Sequence, residues 1–286
     1  MINVAIIGYG NIGRAAEQAV LVSPDMNLVG IFHHTEIEQV IAHHHEIDVA
    51  LLCVPTREVE TNAKRLLQVG ISTVDSFDIH GNIWNLHESL CPVAKANKTV
   101  SIIACGWDPG TDSVIRCLIQ AMTPVDGVTY TNFGPGRSMG HSVVARSKQG
   151  VRDALSMTLP LGEGRHGRHV YVELEQGANL EQVRTDILSD DYFRFDPTEV
   201  EAVPSVKEID TLMHGVKIER VGISGNTKEQ QMAFTMRINN PALTGQVMTC
   251  AARATQRLCP GAYVLPEVPP MWLLSGTDED NIRHLV

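Results

Sequence analysis

The chain has 286 residues, with 33 Asp plus Glu against 23 Lys plus Arg, and 43% of its residues are hydrophobic. A formal charge of -10 excludes nucleic acid or an anionic membrane surface as the general partner, because either requires a basic face. Charged residues at 20%, with 23 Gly and 14 Pro, exclude a disordered chain, and the length predicts one large α/β domain or two lobes.

Met1 to Gly8 lacks the basic and long apolar regions of a secretory leader, and no stretch approaches about 18 apolar residues, so a soluble cytoplasmic protein with no membrane partner is expected. The six cysteines are widely spaced without a Cys-x-x-Cys pair and read as free thiols or small buried hydrophobes.

Taken in chain order, Ile2 to Ile7 is an apolar run ending at Gly8, as in a strand buried on both faces. Helical spacing over Ile12 to Val22 and a run from Leu28 to Phe32 follow. Asp48 to Val54 predicts a third buried strand closed by Pro55, and Arg57 to Gln68 a helix stopped by Gly70. Short strands are expected at Ile71 to Val74 and Thr99 to Ala104, with a helix between them from about Trp84 to Ala96. Such alternation implies a doubly wound parallel sheet with right-handed crossovers.

From about Val125 the rhythm changes. His169 to Glu175 alternates strictly, as a half-buried antiparallel strand does, and Val216 to Ile223 and Met232 to Ile238 are similar. Leu180 to Leu188 reads as a covering helix. A helix near Leu243 to Leu258 and a Pro-rich segment, Leu265 to Pro270, return to the first lobe.

Gly8-Tyr9-Gly10-Asn11-Ile12-Gly13 fits G-x-G-x-x-G between a predicted strand and a predicted helix. The first glycine makes the turn, the second admits a pyrophosphate to the backbone, and the third lets helix and strand pack. A dinucleotide is therefore expected on this helix N-terminus. The second strand ends at His33-His34-Thr35-Glu36, with no acid at the strand end to hold a ribose 2'-hydroxyl. His33 and His34 favour NADP, with NAD possible through Glu36. Cys53, Val54 and Pro55 complete the cofactor set.

Two aspartates follow strand ends that face a ligand crevice in this fold class: Asp78 in Asp75-Ser76-Phe77-Asp78, and Asp108 in Gly106-Trp107-Asp108-Pro109-Gly110. Either can hold a substrate ammonium and take its proton, or simply cap a helix or turn. Arg165-His166-Gly167-Arg168-His169 is a basic group suited to gripping a carboxylate, or a solvated turn. Thr158, His214 and Asn240 each offer a polar group at a strand end or loop. His43-His44-His45 reads as a surface cluster rather than a metal site, since adjacent positions do not converge on one ion.

These motifs, together with Phe133-Gly134-Pro135-Gly136, Gly140-His141-Ser142, Thr158-Leu159-Pro160 and Asn240-Pro241, occur in an order that resembles the meso-diaminopimelate dehydrogenases over nearly the whole chain. The resemblance implies a Rossmann-type lobe at residues 1–114, an α+β substrate-binding and dimerisation lobe at 115–240, and a C-terminal segment, 241–286, returning to the first. It implies NADP-dependent, reversible deamination of the D-centre of meso-2,6-diaminopimelate to L-2-amino-6-oxopimelate and ammonia in lysine biosynthesis, by a homodimer. Asp78 and Asp108 would hold the D-centre amine beside Trp107 and Phe133, the latter standing where the family has Trp. Thr158, Arg168 (Arg165 being the alternative), His214 and Asn240 would fix the L-centre. A related amine dehydrogenase, such as a 2,4-diaminopentanoate type, and a non-catalytic dinucleotide sensor are the competing readings.

Overall fold

The computed structural model describes residues 1–209 and 214–286, and the chain splits into two compact units, Met1–Cys117 with Asn240–Val286, and Leu118–Asn239. The first unit begins β1 (Ile2–Ile7), α1 (Asn11–Leu21), β2 (Met26–Phe32), α2 (Ile37–Ala42), β3 (Val49–Leu52), α3 (Thr56–Gln68), β4 (Ser72–Asp75), α4 (Ile83–Ala96) and β5 (Val100–Ile103). Helix α5 (Thr111–Met122) leads into the second unit, which holds β6 (Val125–Phe133), β7 (Gly136–Arg137), α6 (Met139–Arg146), β8 (Val151–Gly162), β9 (Arg165–Leu174), α7 (Leu180–Leu188), β10 (Thr198–Ala202), β11 (His214–Ser224) and β12 (Thr227–Ile238). The chain then returns through α8 (Asn240–Thr255), β13 (Gly261–Val264) and α9 (Asp278–Leu285).

In the first unit six strands form one parallel sheet, ordered β13-β5-β4-β3-β1-β2. Both faces are apolar because alternate residues of each strand serve opposite cores. Ala5, Ile7, Ala50 and Leu52 pack with Leu66 of α3 and Leu90 of α4. Val4, Ile6, Val49 and Leu51 pack with Val20 of α1 and Met248 of α8. Continuous hydrophobic runs are the signature of strands covered on both sides. Arg253 of α8, nearly buried, clamps Asp25 through two bonds of 2.7 and 2.8 Å, and that guanidinium holds the Asp25 carboxyl below its usual range.

The second unit contains a four-stranded sheet, β10-β9-β8-β7, and a three-stranded antiparallel sheet, β12-β11-β6. Val170 and Val172 of β9 face inward against Val183 and Ile187 of α7. Asn179 caps α7 by accepting the Glu181 N–H at 2.9 Å.

Several elements depart from the sequence expectation. Helices α2, α5 and α6 and strands β6 and β8 lie outside the elements expected from the sequence. The third strand is shorter than Asp48 to Val54, ending at Leu52. The group Arg165 to His169, expected before the alternating strand, is its first half, because β8 and β9 form a long hairpin around Gly162 and Gly164.

Candidate active site

The glycine-rich turn joins β1 to α1, and its three glycines are required for different reasons. Gly8 takes φ 93°, and a Cβ there would fall inside the Cys53 carbonyl. A Cβ on Gly13 would overlap the Gly8 carbonyl oxygen, so helix and strand meet only without one. Gly10 is different. Its backbone, φ -77° and ψ -158°, suits any residue, and no protein atom lies within 4 Å of a Cβ built on it. The fold leaves that position open toward a crevice of about 520 Å³.

Gly8, Tyr9, Gly10, Asn11 and Ile12 form one wall of this crevice; His33 and His34 from the end of β2, and Cys53, Val54 and Pro55 after β3, form the others. Of the residues assigned to the cofactor, Gly13 alone stands behind the wall, as the packing glycine. Tyr9 is steadied by donating to Glu17 at 2.5 Å, with the Arg14 guanidinium 5.6 Å from its ring. At the β2 end, His33 Nδ1 lies 2.8 Å from Thr35 Oγ1 and His34 Nδ1 lies 3.0 Å from Glu58 Oε2. Glu36 accepts the His33 backbone N–H at 2.7 Å. Among the described residues no Arg or Lys lines the crevice.

Asp78 follows β4 at the same edge of the sheet. Thr56, next to the crevice residue Pro55, donates to its Oδ1 at 2.6 Å. Asp108 follows β5 and is contacted at 3.4 Å by Arg116 of α5, which also bonds Asp112. Trp107 and Gly110 pair across the same tight loop. Asn240 opens α8 and accepts from Thr244 at 3.0 Å. These residues all belong to the first unit.

The two loops share a support that sequence inspection missed. Asp75, at the end of β4 and 0% exposed, accepts through Oδ1 from the Phe77 N–H at 2.9 Å and the Ala104 N–H at 3.1 Å. Ala104 takes φ 59°, a strained left-handed conformation for an L-residue, where the Asp108 loop leaves β5. Burial pushes the Asp75 carboxyl up to about 6 in spite of these two donors, against about 3.9 for an unfolded Asp. The folded state thus holds the proton more tightly, so stability from this group is complete below about pH 4 and is lost as pH rises through about 6. Between about pH 4 and about pH 7.5, the urea stability of Asp75→Asn is expected to gain about 2–3 kcal/mol on the native protein. Parallel pH profiles for the two proteins would contradict this.

In the second unit the hairpin register sets Thr158 directly opposite Arg168, and the Arg168 guanidinium bonds the Thr158 hydroxyl. Its Nε donates to Asp196 at 3.0 Å. The Arg168 side chain is 10% exposed, whereas Arg165 is 71% exposed near Glu163. Phe133 ends β6 opposite Val216 of β11, and the Gly134 N–H donates to the Gly215 carbonyl at 2.7 Å, beside His214. Gly136 pairs with Thr158. The segment from Phe133 to Gly136 thus gathers Phe133, Thr158, Arg168 and His214 in one unit. Burial first, and then the Arg137 charge, lower the His214 pKa, so a neutral ring is favoured. The Gly-His-Ser motif is architectural: Ser142 donates to the Ser138 carbonyl at 2.7 Å and accepts from the Ser156 N–H at 2.9 Å, tying α6 to β8.

Residues 106–164 match the family model described as the diaminopimelic acid dehydrogenase C-terminal domain. The chain is 48% identical to a meso-diaminopimelate D-dehydrogenase of Bacteroides fragilis, over 100% of its length and 99% of the relative's. It resembles the C. glutamicum DAP dehydrogenase solved in complex with DAP, with a TM-score of 0.82 and 29% identity, over 100% of this chain and 99% of that one. An engineered D-amino acid dehydrogenase bound to NADP+ gives a TM-score of 0.76 at 28% identity, over 100% and 99% of the two chains. The chain belongs to the meso-diaminopimelate D-dehydrogenase family.

Proposed function

We propose that the protein catalyses the reversible, NADP-dependent oxidative deamination of the D-centre of meso-2,6-diaminopimelate, giving L-2-amino-6-oxopimelate and ammonia. The observation that carries the cofactor half is Gly10, a glycine that packing does not require, bordering a crevice at a helix N-terminus. The substrate half rests on the family membership and on two chemically distinct groups of side chains. Asp78 and Asp108 suit an ammonium, and Arg168 with Thr158 suits a carboxylate. A zwitterion with an amine and a carboxylate at each end needs both.

The bound nicotinamide supplies the hydride acceptor. The chain's own residues do the rest. Asp78, held by Thr56, and Asp108 orient the D-centre ammonium and accept its proton, freeing the nitrogen lone pair as hydride leaves the neighbouring carbon. Water then adds to the resulting imine carbon and ammonia departs. Arg168, Thr158, His214 and Asn240 hold the L-centre, and Trp107 and Phe133 flank the reacting end. We further propose that the protein works as a homodimer in the cytoplasm. Among the described residues no helix is long and apolar enough to cross a membrane.

Initial rates with meso-, LL- and DD-diaminopimelate, each with NADP and NAD, test the reading. Turnover of the meso isomer is expected, with the DD isomer, which lacks the L-centre, much slower and the LL isomer, which lacks the D-centre, inert; equal turnover of the LL isomer would refute it. Because imidazoles rather than guanidinium groups meet the 2'-phosphate, and Glu58 and Glu36 stand beside them, the preference for NADP is expected to be modest. Glu58→Gln removes one nearby carboxylate and should raise the NADP-to-NAD ratio of kcat/KM by about 5- to 10-fold. An unchanged ratio would put the phosphate elsewhere.

A further inference from the structure

Asp112 has no part in the chemistry described so far. It is the second residue of α5 and is 0% exposed, and Arg116, one turn later, bonds its Oδ2 while also lying 3.4 Å from Asp108 Oδ1. Ser113 Oγ donates to the other Asp112 oxygen at 3.4 Å. Burial raises the Asp112 pKa most, the adjoining Asp108 carboxyl raises it further by hydrogen bonding and by charge, and Arg116 opposes both. Among the described residues, the charged groups that act on it are Asp108, from the loop after β5, and Arg116, from Asp112's own helix.

Two carboxyls that meet the same guanidinium nitrogen, one of them fully buried, repel each other when both carry charge, which favours a proton held between them. With one guanidinium beside them, the three groups carry one net negative charge without a shared proton and none with it. An arriving ammonium favours the first state, and an ammonium that must become an amine needs a group able to reach the second.

We propose that Asp108 and Asp112 form a proton-sharing pair around Arg116, in which Asp108 touches the substrate ammonium and Asp112 acts through it as a positioning residue. This rests on the reading of Asp108 given above. An N–H bond of the ammonium breaks, its proton passes to an Asp108 oxygen and is shared with Asp112, and the electron pair left on nitrogen forms the C=N bond as hydride departs to the cofactor. A lone Asp108 beside Arg116 would be a weaker base, because the guanidinium stabilises its anion and no second carboxylate offsets that effect.

The test uses the full chain with reduced NADP, so that meso-diaminopimelate binds without reacting, and measures the binding heat near pH 7 in buffers of different ionisation enthalpy. The native protein is expected to release up to about one proton per site on binding, and Asp112→Asn none. In turnover, the acid limb of kcat/KM against pH is expected to move down by about one pH unit or more in Asp112→Asn. Equal proton release in the two proteins, or lower turnover on an unmoved limb, overturns the proposal. If Asp112→Asn does not fold, the native protein decides alone, and binding heats independent of buffer overturn it. A native protein that neither binds nor turns over the diamino acid overturns the functional reading itself, a result distinct from turnover without proton release.

Discussion

Asp108→Asn is expected to lower kcat by about 100- to 10,000-fold, the range typical of a positioned proton acceptor, with little change in thermal stability. The substitution keeps the shape of the side chain and its place at the end of β5, where the loop is held by Asp75 through Ala104. On the proposed function it removes the negative charge that would attract the ammonium and the site that would take its proton. Steady-state rates with saturating meso-diaminopimelate and NADP, alongside a melting curve, separate these effects. Near-normal turnover would remove Asp108 from the chemistry and leave it as a capping residue.

The second large effect is expected at Gly10. Beyond the adjoining residues a Cβ at this position has no protein atom within 4 Å, and the extended backbone accepts a side chain, so Gly10→Val should fold and melt like the native protein. It would fill the space a pyrophosphate needs, and NADP affinity should fall by on the order of 100-fold, about 2.7 kcal/mol. Gly13→Ala reverses the pattern, because its Cβ overlaps the Gly8 carbonyl and the damage falls on the fold. Fluorescence titration with NADPH and thermal melts on the two variants distinguish a ligand-facing glycine from a packing one. Undiminished NADPH binding by Gly10→Val would disprove the crevice as the pyrophosphate site.

What was legible in the sequence had a local cause. The strand-glycine-helix order around Gly8, Gly10 and Gly13 is a contiguous pattern, and the apolar runs at Ile2 to Ile7 and at Val49 to Leu52 reflect burial on both faces. The features missed depend on partners distant in sequence. Thr158 and Arg168 meet because a hairpin turn at Gly162 to Gly164 sets their register; those two glycines were the available signal. Asp75 reads as an ordinary strand end, and its role comes from Ala104, 29 residues later. Helix α5 escaped notice because Thr111, Val114 and Ile115 are β-branched and follow a Pro-Gly pair, which conceals both Asp112 and its link to Arg116. The chemistry of the sequence marks the group Arg165 to His169 as a whole and the family resemblance picks out Arg168, to which the strand geometry adds a reason for preferring it to the exposed Arg165.

The reaction proposed for this chain moves one particular hydrogen, the one on the D-carbon, and isotopic labelling follows it directly. The measurement is the deuterium content of NADPH formed from meso-diaminopimelate labelled at the D-carbon or at the L-carbon. One deuterium per NADPH from the D-labelled substrate and none from the L-labelled substrate is expected. Deuterium arriving from the L-carbon, or retained in the product when the D-carbon is labelled, would contradict hydride transfer from the D-centre.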